Sequence, residues 1–351
     1  MDAAIRDTGS GGGARMTGHP VQQGLGVRIA GIGSFLPSRV VTNAELEDQL
    51  GIERDWIFDR TGVRERRRCT TESSASMAAA AARDALVMAG LEPRDLTAII
   101  GASSTPQQAI PCTAVFVQRA LAAPEGTAAC FDLNATCLSF IAAFDVAARL
   151  VASGAHRHVL VFSSESAAHS LDPREPESAV LFGDAAAAVV LSPAHDTGSV
   201  MHAMRLRTWN SGAEYSQIAG GGTLHHPNAP GTTSAHNLFM MQGPKLFRMA
   251  APLLQPFIDE VLGDAGWSRA DVDAVVPHQA SRHGIELAWK RLGFSESQVI
   301  VNIATRGNCI AASIPLALAE AVACSRIRRG DRALLFGLAA GLSLGAIAIT
   351  F

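Results

Sequence analysis

The sequence predicts an α/β protein made of two copies of one unit, and three observations carry that reading. From Val27 onward, short runs of Val, Ile, Leu and Ala alternate with amphipathic stretches, the pattern of strands joined by crossover helices in buried sheets. Ala89-Gly90, Asp95 and Ala98 recur in like surroundings as Ala265-Gly266, Asp271 and Ala274, 176 residues later. Gly154, ahead of Val159-Leu160-Val161, has a counterpart in Gly330, ahead of Leu334-Leu335-Phe336, again 176 residues on. Equal offsets at separate places mark a duplication. The boundary is expected at residues 193–199, giving a disordered tail over 1–24, a first unit over 25–195 and a second over 196–351.

The expected strands of the first unit are 27–33, 98–103, 128–133, 158–164 and 185–191, and its helices are 43–50, 76–88, 113–121 and 138–153. In the last of these, Phe140, Ile141, Phe144, Ala147, Ala148 and Val151 fall at the spacing of one buried face. An irregular stretch follows residue 191. The second unit then reads as helices 245–262, 282–292 and 310–325, with strands 273–276, 299–303, 333–336 and 344–350. The tail, with Gly11-Gly12-Gly13, has too little apolar content to fold. Arg64-Glu65-Arg66-Arg67-Arg68 reads as a solvated loop, and Gly220-Gly221-Gly222 as a flexible one.

Composition narrows the function. The chain is 48% hydrophobic but only 5% aromatic, which suits close-packed layers of small residues. A net charge of -3 offers no basic face for nucleic acid, and no run of about 18 apolar residues suggests a membrane span. The six cysteines form no CxxC pair, so neither a metal site nor a disulfide framework is indicated, and a reducing cytoplasm is expected. His225, His226 and His236 have no cysteine or carboxylate at ligand spacing, and no metal is expected there.

Three segments carry groups able to do chemistry. Cys137 follows the apolar run ending at Leu133 and opens the helix 138–153. A thiol at a helix N-terminus feels the positive end of the macrodipole, which favours its thiolate. Alone, such a cysteine reads more readily as a small core residue. His278 ends the strand run Val275-Val276-Pro277, just before a helix, and Asn308 lies in a turn after Gly307, before another helix. Each is compatible with a structural role. Together they form a Cys/His/Asn set at strand ends, where α/β ligand sites lie, and a duplicated unit can bring such groups together at its pseudo-twofold junction. A thiolate can attack an acyl thioester. A neutral imidazole and an amide can both donate to a second thioester carbonyl, stabilising an enolate without a metal. Cys112, Cys130, Cys309 and Cys324 read as small buried residues, Cys309 lining the site beside Asn308.

From Val27 to Phe351 the chain resembles the β-ketoacyl-ACP synthase III family of thiolase-fold condensing enzymes. Trp56-Ile57-Phe58-Asp59-Arg60-Thr61-Gly62-Val63-Arg64-Glu65-Arg66 is similar to the family's early W-I-x-x-R-T-G-I-R-x-R segment. Leu181-Phe182-Gly183-Asp184-Ala185-Ala186-Ala187 is similar to its F-G-D-G-A-G-A strand entry, with alanine for two glycines. The segments around Cys137, His278 and Asn308 match the three catalytic motifs, and Phe336-Gly337-Leu338-Ala339-Ala340-Gly341 the glycine-rich turn. The resemblance implies a layered αβαβα thiolase-like fold and homodimers. It also implies an oxyanion hole made by the backbone N–H groups of Cys137 and Ala340.

It implies acyl-CoA or acyl-carrier-protein thioesters as substrates and no further cofactor, with Trp56, Arg60, Ile110, Arg174 and Arg282 as substrate- or carrier-binding residues. Two positions depart from the pattern. Pro176 stands where an arginine clamps the CoA adenine against Trp56, with Arg174 nearby to substitute. Pro244, in Met241-Gln242-Gly243-Pro244, replaces an expected asparagine. Ile110 falls at the wall residue reaching into the partner's acyl pocket, where related olefin-forming enzymes carry a glutamate base; isoleucine cannot abstract a proton. The expected reaction is therefore a decarboxylating Claisen condensation of an acyl with a malonyl thioester. The alternatives are an acyltransferase passing its acyl group to an alcohol or amine, and a non-catalytic acyl-binding subunit. Asn308, needed for an enolate, counts against the first, and the intact triad against the second.

Overall fold

Alternating side chains along the strands decide the architecture. The computed structural model describes residues 24–195 and 197–351, and the tail expected over 1–24 lies outside them apart from Gly24. The first half holds β1 (Val27–Phe35), β2 (Arg39–Thr42), β3 (Glu65–Arg68), β4 (Ala98–Gly101), β5 (Ala129–Asp132), β6 (Val159–Glu165) and β7 (Ala185–Pro193). The second holds β8 (Val200–Thr208), β9 (Ser216–Gln217), β10 (Met240–Met241), β11 (Ala274–Pro277), β12 (Arg332–Ala339) and β13 (Ser343–Thr350). One sheet runs β1-β7-β6-β4-β5 and the other β11-β12-β13-β8. In the first, β4 pairs parallel with β5 and β6, while β7 and β1 continue antiparallel. In the second, β11 pairs parallel with β12, while β13 and β8 continue antiparallel.

Every second residue of these strands faces a shared central layer. Ala98, Ile100, Val159 and Val161 of one sheet and Ala274, Val276, Ala333, Leu335, Ile347 and Ile349 of the other enclose the helices Ser139–Ala152 and Ser313–Ala323. Ile99, Leu160 and Phe162 face outward onto the helices Ser74–Ala89 and Thr113–Ala120. Val275, Leu334 and Phe336 face outward onto the helices Gly243–Ala265 and Arg282–Leu292. The result is five layers, α/β/α/β/α. Small side chains allow this: Ala78, Ala79, Ala81, Ala82 and Ala85 let the first outer helix lie close on its sheet.

The repeated sequence marks fold alike. Gly90 and Gly266 each end a helix in the left-handed region, with φ of 66° and 69°, and the 3₁₀ turns Pro93–Asp95 and Arg269–Asp271 follow. Other expectations need correcting. The strand expected at 299–303 is a single bridge between Val299 and Val275, and Ile303–Arg306 is helical. The side chain of Gln279 takes its place, donating to Ile300 O at 3.1 Å and accepting from Asn302 N at 3.1 Å. The stretch read as irregular contains β8, whose Arg205 and Arg207 pair with Asp264 and Glu260 of the helix Gly243–Ala265. Ion pairs on its buried side hid the alternation.

Glu65–Arg68 is a strand rather than a loop, and Arg66 has no solvent exposure. Its guanidinium donates to Val180 O at 2.7 Å and Asn43 Oδ1 at 2.9 Å. Cys324 is exposed and is not a core residue, while Cys112 and Cys130 are half-buried and pack against the core beneath the helices Ser74–Ala89 and Thr113–Ala120. Among the described residues, no helix is long and apolar enough to cross a membrane.

The central layer sets the stability. Phe144→Ala, in the helix between the sheets, should cost about 3–5 kcal/mol. Val87→Ala, on the exposed face of an outer helix, should stay within about 0.5 kcal/mol of wild type. Urea unfolding of both variants checks this.

Candidate active site

One turn, used twice, builds the site. After β5, Asn134 Oδ1 accepts from Thr136 N at 2.8 Å, Thr136 takes a left-handed φ of 52°, and Ser139 Oγ donates to Thr136 O at 2.7 Å. A 3₁₀ turn, Thr136–Leu138, then feeds the central helix from Ser139. In the second half, Asn308 Oδ1 accepts from Ile310 N at 2.9 Å, Ile310 has a φ of 49°, and Ser313 Oγ lies 2.8 Å from Ile310 O. The 3₁₀ turn Ile310–Ala312 leads into the other central helix. The two turns pack against each other. Cys137 occupies this turn in one copy; Ala311 stands in its place in the other. The pairing of Asn134-Ala135-Thr136-Cys137-Leu138-Ser139 with Asn308-Cys309-Ile310-Ala311-Ala312-Ser313 is visible in the sequence at an offset of 174, and was the signal that sequence reasoning passed over.

Cys137 is half-buried, and the backbone N–H groups of Ala340 and of Cys137 itself point at its sulfur. Thr136 Oγ1, 3.3 Å from Ala340 O, ties the two loops together. The expected thiolate-favouring effect of the helix terminus does not prevail in the free protein. Burial, with the nearby Glu165 carboxylate adding to it, pushes the thiol up to about 12. The helix proper begins only at Ser139, beyond the 3₁₀ turn, so its dipole meets the sulfur weakly.

His278 leaves β11 nearly buried, and desolvation lowers its imidazole to about 4, so the ring is neutral. Its Nδ1 lies 2.5 Å from Ser313 Oγ. The Ser313 hydroxyl has one proton and two acceptors in reach; when it donates to Nδ1, the imidazole proton sits on Nε2. Leu138, next to Cys137, and the Cβ of His278 both pack over Gly337, which brings the two halves of the site together.

Asn308 is fixed by a chain crossing. Its N–H donates to Leu181 O at 2.9 Å, and its carbonyl accepts from Gly183 N at 3.1 Å. Because its Oδ1 is engaged by Ile310 N, its amide N–H₂ is the end left for a ligand. A Cβ on Gly183 would lie 2.0 Å from Arg306 O, and Gly307 holds a φ of 68°, so both glycines are required where they stand. Arg66, missed as a site support, carries the same crossing through Val180 O. Cys309 does not line the site; it is buried among Ala185, Ala187 and Leu316.

The substrate-binding candidates are dispersed. Arg60 lies over the Trp56 ring at 5.7 Å, and Arg282 packs on Gly62 beside them while pairing with Glu286 at 2.7 Å. Arg174 is held by Asp172 at 2.8 Å on an exposed surface. Pro176 and Pro244 each occupy the start of a helix, where a missing N–H is harmless. Ile110 is 84% exposed in its loop and is not drawn into the site of its own chain. An apolar cavity of about 300 Å³ between the helices Gly243–Ala265 and Arg282–Leu292 is lined by Phe247, Ala250, Ile285 and Leu287 and reaches His278. His225 and His236 stack ring on ring at 3.9 Å in the loop before β10.

Two duplicated sheets enclosing two helices, with a cysteine turn at the start of one, define a thiolase-fold enzyme of acyl thioesters. The model for 3-oxoacyl-[acyl-carrier-protein (ACP)] synthase III matches residues 131–208, and that for the C terminal part of the same synthase matches 262–351. The chain is 37% identical over 324 residues to the beta-ketoacyl-[acyl-carrier-protein] synthase III of Chelativorans sp., covering 91% of this chain and 97% of that protein. It is similar to the crystal structure of 3-oxoacyl-[acyl-carrier-protein] synthase III from Aquifex aeolicus, with a TM-score of 0.84 and 36% identity over 93% of this chain and 100% of that one. The priming beta-ketosynthase of the R1128 polyketide pathway superposes with a TM-score of 0.85 at 31% identity, over 95% and 98% of the two chains. The chain belongs to the β-ketoacyl-[acyl-carrier-protein] synthase III family and is an acyltransferase of the condensing type.

The crossing at Asn308 gives a test of this geometry. Gly183→Ala should displace Asn308 and slow the overall condensation by roughly 10–100-fold. Steady-state assay of the purified, folded variant measures it.

Proposed function

We propose that Cys137 carries the acyl group and that His278 and Asn308 hold the malonyl thioester while it loses CO₂. The observation that carries this is the pairing of a sulfur met by two backbone N–H groups with a neutral imidazole and a free amide N–H₂ across the same junction. The Cys137 sulfur loses its proton as it attacks the acyl carbonyl, the N–H groups of Cys137 and Ala340 receive the oxyanion, and the carrier sulfur leaves and takes up a proton as the free thiol. The malonyl carboxylate then departs as CO₂, and its bonding pair becomes an enolate. The enolate oxygen takes hydrogen bonds from His278 Nε2 and Asn308 Nδ2. Its carbon attacks the acyl-cysteine and expels the Cys137 thiolate, leaving a β-ketoacyl thioester. Decarboxylation supplies the carbanion, so no base is needed at Ile110.

We further propose that the enzyme works as a homodimer in the cytoplasm. The exposed Ile110 would enter the partner's acyl pocket, and six free cysteines, one of them the nucleophile, suit a reducing compartment. With Pro176 and Pro244 removing two contacts to CoA, an acidic carrier protein docking on Arg60, Arg64 or Arg282 should deliver at least one substrate. The two sequence units, divided near residues 193–199, would then each supply one side of the reaction.

His278→Ala and Asn308→Ala should each slow malonyl decarboxylation by roughly 10²–10³-fold, the cost of losing one oxyanion donor, while acyl loading of Cys137 falls less. Equal loss of both steps would contradict the division of labour. For one acyl group offered on both carriers, kcat/KM should favour the carrier-protein thioester in at least one half-reaction; a preference for CoA in both would show that Arg174 or Arg60 has rebuilt the adenine clamp.

A further inference from the structure

One buried acid beside the nucleophile takes no part in these steps. Glu165 ends β6 with no solvent exposure. Its carboxylate accepts from Ser104 N at 2.7 Å, Thr105 N at 3.0 Å and Thr105 Oγ1 at 2.6 Å, and also from the N–H of Ala311. It therefore joins the loop leading to Ile110, the end of β6 and the turn that carries Asn308. Ala311 is the residue standing where Cys137 stands in the other copy. The end of β6 packs on the turn Ile310–Ala312, which packs on the turn Thr136–Leu138, so the carboxylate sits at the junction of the two turns and its charge opposes a second one on Cys137.

Nothing nearby neutralises it. Glu165 pairs with Ala185 on β7, and the adjacent Asp184 is occupied by Cys69 N, Ala167 N and Arg68. Asp132, at the end of β5, is filled by the N–H groups of Thr113 and Ala114, and His278 is neutral. Among the described residues no arginine, lysine or histidine forms an ion pair with Glu165. Two acids in a water-poor junction without a cation hold one negative charge more readily than two.

We propose that Glu165 is a positioning residue for Cys137, a buried carboxylate that shares one negative charge with the nucleophilic thiol and so governs when that thiol ionises. This rests on the reading of Cys137 as nucleophile. Burial raises the Glu165 carboxyl to about 7 in spite of its donors, which places its ionisation in the neutral range. Below that pH the acid is neutral and does not oppose the thiolate. Above it, each further rise in pH adds charge to Glu165 first.

Alkylation of Cys137 by iodoacetamide, followed at its own peptide by mass spectrometry, tests this. A thiol limited only by its own ionisation gains about tenfold in rate per pH unit below its pKa. Wild type should show that slope up to about pH 7 and flatten above it, where Glu165 ionises. Glu165→Gln should keep the full slope through pH 8.5 and react roughly 30-fold faster than wild type there, about tenfold per unit over the roughly 1.5 units in which wild type is flat. Thr105→Val, which removes one donor to the carboxylate, should move the flattening to higher pH. A purely structural role would change the rate by one factor at every pH and leave the profile's shape alone. A straight wild-type profile, or a folded Glu165→Gln variant that still flattens near pH 7, overturns the proposal. If that variant does not fold by circular dichroism, the wild-type and Thr105→Val profiles decide. Intact-mass analysis with a panel of acyl-CoA and acyl-carrier-protein thioesters separates the two readings. Failure of Cys137 to gain an acyl group sinks the nucleophile assignment; acylation with a straight alkylation profile sinks only the role of Glu165.

Discussion

Everything in the site depends on burying two helices between two sheets. Ser139–Ala152 and Ser313–Ala323 share one apolar layer, so the turns that start them must meet. Each turn is shaped by an asparagine side chain bonded two residues on, a left-handed residue and a serine that closes the first helical turn. Duplication made the two turns alike, and differing side chains gave them separate work. One presents a sulfur, while the other turns an amide outward and leaves alanine where the sulfur would be.

The same burial sets the electrostatics. Desolvation keeps His278 neutral, as its proposed donation to an enolate requires, and it also keeps Cys137 protonated in the free protein. In the proposed mechanism one dry junction thus favours the second half-reaction and opposes the first. The backbone N–H groups of Cys137 and Ala340, the proposed oxyanion hole, partly offset this by stabilising the charged sulfur.

Much of this was legible in the sequence, because the central strands and helices bury unbroken apolar patterns and the repeat fixes their order. Cys137 and His278 do lie just beyond strand ends, whereas Asn308 follows the short helix Ile303–Arg306 and not the strand expected before it. What escaped was carried by polar groups with buried partners. Charged pairs masked β8, the side chain of Gln279 replaced a strand at 299–303, and Arg66 is buried under three arginine neighbours in sequence that suggest solvent. Glu165 was invisible for the same reason: its four donors come from segments far apart in the chain. The direction of the Cys137 shift was also missed, since a helix terminus can be read from sequence and desolvation cannot.

The central claim is that the acyl group on Cys137 ends in a carbon–carbon bond. Supplying an acyl thioester together with a malonyl thioester labelled at its methylene carbon, and resolving the products by mass spectrometry, tests it most directly. A labelled β-ketoacyl thioester with one CO₂ released per acyl group is expected, and that condensation product should vanish in Cys137→Ala. Transfer of the acyl group to an alcohol, an amine or water with the malonyl thioester left intact would contradict the account.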